Sequence, residues 1–185
     1  MKSIPLTMVR PDLHRIPSYA LPSSHRVRNF QPGDERIWAQ IEASVGEFGD
    51  EEAALKHFDK EFGAYAEEMV TRCLFIENEH GEAIGTTTAW YGSLQDDETR
   101  GRIHWVAIRP EYQGKKLSKP LLTAAMELLA QYHRRAYLTT QTTSYRAVNM
   151  YLNYGFEPLI TTPDCMEGWA LMETVLQRNI TGSST

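Results

Sequence analysis

Between Arg109 and Leu122 the chain reads RPEYQGKKLSKPLL, with one glycine and three lysines ahead of an apolar run. A tight loop between a strand and a helix can hold an anion. The first turn of a helix has backbone N–H groups without intrahelical partners. Aligned peptide dipoles make that end positive, and a glycine lets the main chain approach a ligand closely. Lys115, Lys116 and Lys119 add charge. Pro120 has no N–H, so the donors must come from the residues before it and from Leu121. QGKKLSK is therefore a seat for phosphate or pyrophosphate, although a solvated basic turn would use the same residue types. GxxxxGK(S/T) and GxGxxG are both missing, which argues against a nucleoside triphosphate or dinucleotide fingerprint.

A second constellation lies in SYRAVNMYLNYGF, residues 144–156. Ala147, Tyr151 and Tyr154 share a helix face. If HWVAI and LTTQTT pair in parallel, this helix begins at the same sheet end as the basic corner. Tyr151 can then point at a ligand held between the strands, or fill the core.

These residues need a frame. HRVRNF alternates like a strand, QPGD turns, and Asp34 can cap a helix carrying Ile37, Trp38, Ile41 and Val45. DEEAALKHFDKEF predicts a helix with Leu55, Phe58 and Phe62 on one face. RCLFIEN and AIGTTTAWYG predict a hairpin, SLQDDETRG a polar loop, and RIHWVAIRP a strand ended by Pro110. SKPLLTAAMELLAQYH is the strongest helix, starting near Ser118 or Lys119 because Pro120 fits only a first turn. AYLTTQTT is a strand, Gly155 stops the helix that follows, FEPLIT is a strand and EGWALMETVLQ a helix.

The 185 residues allow one domain with a substantial core. The first 25 residues hold four prolines and predict an extended strap, residues 26–178 the domain, and 179–185 a polar tail. No apolar run reaches membrane-spanning length, and the start lacks the apolar centre of a signal peptide. A net charge of −5 argues against nucleic-acid binding. Cys73 falls in an apolar strand and Cys165 in an expected loop, with no metal-ligand spacing. A reducing cytoplasm is the simplest compartment. Oligomeric state has no sequence signal, and a homodimer stays open.

Together the two constellations resemble the GCN5-related N-acetyltransferase (GNAT) superfamily, over roughly residues 26–160. AIRPEYQGKKLSKPLL is similar to its V-x-P strand end followed by Q/R-x-x-G-x-G/A. Ala147, Tyr151, Gly155 and Phe156 match its N-x-x-A-x-x-x-Y-x-x-x-G-F helix. GEAIGTTTAWY looks like its second hairpin strand. The resemblance implies a single α/β domain with a mixed, mostly antiparallel sheet, splayed at a central parallel strand pair and flanked by helices. It implies acetyl-CoA as cosubstrate, with pantetheine along Val106 and Ile108. The pyrophosphate would rest on amides of Gln113, Gly114, Lys115, Lys116, Leu117, Ser118 and Lys119. Tyr151 would protonate the departing thiolate. This chain departs from the pattern at three positions. Lys116 takes the usual glycine position, where the loop is expected to keep a negative φ. Ser118 takes the last Gly/Ala position, and Ser144 replaces the asparagine.

Direct acetyl transfer to a primary amine, on a small molecule or a peptide, requires the amine to be neutral. Roughly one alkyl ammonium in a thousand is neutral at pH 7, so a general base is needed. His104, on the strand that should line the acyl site, has a suitable ordinary pKa. Glu67 and Glu68 could border the acceptor groove, and Trp90, Tyr91 and Trp105 could wall it. Trp38 and Trp169 fall on apolar stripes and read as packing. Two other readings share the residues: an acyl-CoA-binding sensor of the same fold without turnover, and a nucleotide-binding protein using the basic corner alone.

Overall fold

The computed structural model describes residues 1–96 and 98–182. In chain order the main elements are β1 (Pro5–Arg10), β2 (Arg26–Asn29), α1 (Glu35–Ser44), α2 (Glu51–Phe62), α3 (Ala66–Arg72), β3 (Cys73–Glu77), β4 (Ala83–Ser93), β5 (Thr99–Ile108), α4 (Ser118–Tyr132), β6 (Ala136–Gln141), α5 (Tyr145–Asn153), β7 (Glu157–Leu159) and α6 (Pro163–Leu176). The strands form one sheet in the order β2-β3-β4-β5-β6-β1-β7. All neighbours are antiparallel except β5 and β6, which run parallel. This is the mixed sheet expected from the resemblance.

Two apolar cores follow from the strand alternation. One gathers Ile84, Ile103 and Ile108 with Leu121, Leu122, Ala125 and Leu129 of α4, together with Trp169 and Met172 of α6. The other gathers Phe75, Trp90 and Ala107 with Trp38 and Ile41 of α1 and Phe58 and Phe62 of α2. Trp38 and Trp169 are both fully buried, as their helical spacing predicts.

Four expectations need correction. The first 25 residues do not form a strap outside the domain. β1 lies inside the sheet, between β6 and β7, with Leu6 and Met8 buried. After it, Pro17 accepts a hydrogen bond from Thr123 of α4, and the Tyr19 ring lies under Lys119. The strand was hidden because PLTMVR is short and prolines flank it. Cys165 lies in the first turn of α6, where Thr162 accepts from its N–H at 3.3 Å. α3 was missed because Met69 is its only buried residue, which leaves no periodic signal. Strand pairing runs through Ser93 and Thr99, so the loop expected over 93–101 shortens; Asp97 within it, and Ser183–Thr185 of the polar tail, lie outside the described residues.

Arg10 ties the first strand to the site-bearing half. Its guanidinium donates to the carbonyls of Tyr154, Asp12 and His14. Gly155, at φ +78°, leaves room for it: a Cβ there would run into the guanidinium. Arg10→Ala strands the buried Tyr154 carbonyl and frees two part-buried ones, and should cost about 1–3 kcal/mol, read as a lower denaturant midpoint with an unchanged slope.

Candidate active site

The parallel pairing of β5 and β6 is brief. Gly101 faces Ala136 and Arg102 faces Tyr137, and no register partner follows. On its other side β5 pairs Thr88 with His104 and Thr86 with Ala107, so it carries one extra residue around Trp105 and Val106. Trp105 has φ +53°. A β-bulge of this kind bends and twists its strand, and here it turns β5 away from β6. The edge of β5 beyond Arg102 is left without a neighbour, and Val106 has no register partner on either side. A bulky residue with positive φ costs on the order of 1–2 kcal/mol. The surroundings hold it there: the Trp105 ring packs against Trp38, Phe48 and His57, and its Nε1 donates to Glu61 at 2.9 Å.

At the end of β5 the basic corner takes the expected place. The amides of Gln113 and Lys119 are already used, donating to Pro110 and Lys116. Those of Gly114, Lys115, Lys116, Leu117 and Ser118 meet no backbone carbonyl among the described residues, and no side chain caps α4. The open donors therefore run over 114–118, two positions fewer than expected. Gly114 has φ +78°, and Lys116 has φ +62°, contrary to the negative φ expected there. The glycine position of the motif keeps its left-handed backbone even when a lysine fills it. The Gln113 side chain donates to the Ile108 carbonyl at 2.9 Å and locks the corner to the strand end.

Two cavities meet at the splay. One of about 420 Å³ is bounded by Val106, Ile108, the corner and α5. Lys116 and Lys119 line it, the Lys119 ammonium 4.6 Å over the Tyr19 ring, and the Lys115 ammonium sits 4.7 Å over the Tyr112 ring. Arg146 of α5 also lines it, a cation that the sequence reading passed over although it precedes the motif alanine. The other, about 330 Å³, is bounded by Arg102 to Val106, by β6 and by Glu42 and Glu47. Val106, Ala147 and Tyr151 belong to both. Tyr151 is buried, and no side chain among the described residues hydrogen-bonds its hydroxyl. Burial, then Glu42 and Glu47, push its pKa far up, so it is a neutral phenol at any ordinary pH.

His104 lines the second cavity. Its Nε2 lies 2.6 Å from Glu61 Oε1, and His57 Nε2 lies 3.0 Å from Glu61 Oε2. Burial would raise the Glu61 pKa, but hydrogen bonds from His104, Trp105 and His57 outweigh it and lower it to about 2. An ionised carboxylate only accepts, so Nε2 of His104 carries its proton. Burial lowers the His104 pKa further than Glu61 raises it, so the ring is neutral at pH 7 with Nδ1 as its free acceptor. Of the expected acceptor walls, Trp105 is present. Trp90 and Tyr91 stack together elsewhere, and Glu67 and Glu68 lie on α3 away from the cavity.

Glu42 was missed from the sequence because it sits in an ordinary amphipathic helix pattern. It is 1% exposed, lines the same cavity as His104, and its Oε1 has no partner among the described residues. Burial, then Glu47, raise its pKa from 4.5 to about 8.

Two outcomes follow from this geometry. Lys116→Gly relieves the left-handed backbone and should stabilise the fold by up to about 1 kcal/mol, measured by denaturant unfolding; Lys116→Ala keeps the strain and should leave stability unchanged. The folded-state pKa of Glu42 lies above its unfolded value, so its contribution is full below pH 4.5 and is lost as pH rises through about 8. The melting temperature should fall between pH 4.5 and about 8 and level off above that, and fall less in Glu42→Gln.

A model of the acetyltransferase (GNAT) family matches residues 35–156. A mycothiol acetyltransferase of Streptomyces bingchenggensis is 28% identical over 143 residues, covering 76% of this chain and 46% of that protein. One from Streptomyces coelicolor is 27% identical over 143 residues, covering 76% and 45%. The chain thus spans less than half the length of these curated relatives. Among solved structures, a GCN5-related N-acetyltransferase from Sphaerobacter thermophilus aligns with a TM-score of 0.62 at 19% identity, covering 85% of this chain and 49% of that one. A glucosamine-6-phosphate N-acetyltransferase from Arabidopsis thaliana aligns at 0.53 and 17% identity, covering 76% and 96%. At such identities these structures speak to the fold alone. The match of the family model spans the bulged strand, the basic corner and the tyrosine helix together, and the chain belongs to the acetyltransferase (GNAT) family.

Proposed function

We propose that the protein transfers an acetyl group from acetyl-CoA directly to a primary amine. The observation that carries this reading is the line from the open amides of 114–118, along the unpaired edge of β5, to Tyr151 where the two cavities meet. The residues present suit the cosubstrate. Its diphosphate fits the helix-start amides with Lys116, Lys119 and Arg146 around them. Its pantetheine amides match the open backbone at Val106 and the N–H of Ile108, whose carbonyl already accepts from Gln113, as an added strand would.

Four tasks then fall to this chain. The splay holds the thioester carbonyl in a dry gap, and the free N–H near Val106 is placed for the oxyanion. His104, clamped by Glu61, offers Nδ1 to the acceptor as a hydrogen-bond acceptor. Tyr151 hands a proton to the sulfur as the C–S bond breaks. Its raised pKa makes it a poor acid alone, so it works as a relay, taking up the proton that the acylated nitrogen must lose. The acceptor side is lined by Glu42 and Glu47 beside Arg102, and a cationic amine would find its partner in those carboxyls, with Glu42 ionising as the ammonium binds.

Calorimetry should register acetyl-CoA binding, weakened in Lys116→Ala more at low salt than at high salt. A thiol-detecting assay over polyamines, amino acids, aminoglycosides and peptides should find an acceptor. With it, Tyr151→Phe should lower kcat by about 10²-fold or more while acetyl-CoA affinity holds. Binding without turnover of any amine would favour the sensor reading, and ATP binding without CoA binding would end both.

A further inference from the structure

We infer that Glu42 is the general base of this site, the group that removes the proton from the acceptor ammonium; the inference rests on the acetyl-transfer reading above. Two observations place it there. Glu42 lines the same cavity as Tyr151, His104 and Val106. Its Oε1 is sealed from solvent and unpartnered among the described residues, so the fold supplies no donor for it.

The groups facing Glu42 leave the role to it. Glu47, just after α1, is a like charge and raises its pKa. Cys73 on β3 is a buried thiol pushed up to about 12, and it stays protonated. Tyr151 on α5 is a neutral phenol. Arg102 and His104 on β5 border the same cavity. His104 has one nitrogen committed to Glu61, and as a base it is weaker than usual. A carboxyl with pKa about 8 is nearer to an alkyl amine than any other base in the cavity. A bound ammonium favours its ionised form.

The protons balance as follows. The ionised carboxylate takes one proton from R–NH₃⁺. The nitrogen lone pair forms the N–C bond to the thioester carbonyl, and the C–S bond breaks. The second nitrogen proton reaches the sulfur through Tyr151, and the proton on Glu42 is released to solvent.

The test compares two nucleophiles in Glu42→Gln, Glu42→Asp and His104→Gln. One is the best alkyl amine from the acceptor panel, which is charged at pH 7. The other is hydroxylamine, which is already neutral there. Glu42→Gln should lose about 10²–10⁴-fold in kcat/KM with the alkyl amine, lose the rising pH limb near 8, and change by less than about 3-fold with hydroxylamine. Glu42→Asp should recover part of the alkyl-amine rate and keep a rising limb. Equal losses with both nucleophiles, no loss with either, or an amine-selective loss in His104→Gln instead would overturn the assignment. Wild-type protein that binds acetyl-CoA but acetylates neither nucleophile would overturn the transfer reading, and this inference with it.

Discussion

The bulge at Trp105 is the constraint on which the site depends. A regular β5 would pair with β6 along its whole length, and the sheet would have no gap. One extra residue, held at positive φ, diverts the strand after Arg102 and leaves its backbone without a neighbour. Unpaired backbone inside a protein needs a partner. An extended ligand carrying amides can supply it. The strain is local, and the aromatic cluster of α1 and α2 together with Glu61 holds it in place.

The same bulge organises the chemistry on either side of the gap. It sets His104 and Trp105 on one face of the sheet, so that the two oxygens of Glu61 receive one donor from each. The corner after β5 gathers cations and open amides, while the opposite cavity gathers carboxylates. Tyr151 stands at the boundary. Cations and open amides are thus sorted to the corner end, which suits a diphosphate, while the far cavity sets two carboxyls beside Arg102. In the low dielectric of a buried site such sorting counts for more than it would in water.

The sequence disclosed this line unevenly. The corner was legible because glycine, lysines and a first-turn proline each have a local physical meaning. Tyr151 was legible through its spacing from Ala147 and Gly155. The backbone at Lys116 was misread because lysine tolerates positive φ only when the loop around it insists, and a single residue does not reveal that. Glu42 and Glu61 were illegible for a different reason. Each is one more acidic residue on an amphipathic helix, and only the packing of α1 and α2 against β5 separates them from surface charge. β1 was obscured by its prolines, and its place between β6 and β7 is a long-range pairing that local patterns do not encode.

Amide-resolved chemical shifts, followed while coenzyme A is titrated into the labelled protein, test the central claim most directly. The largest perturbations should fall at Gly114 to Ser118 and along β5 from Val106 to Ile108, with little change at the apolar groove formed by Phe30, Leu55, Phe58 and Met69. Perturbations centred on that groove, with the corner and the open edge of β5 unmoved, would contradict it.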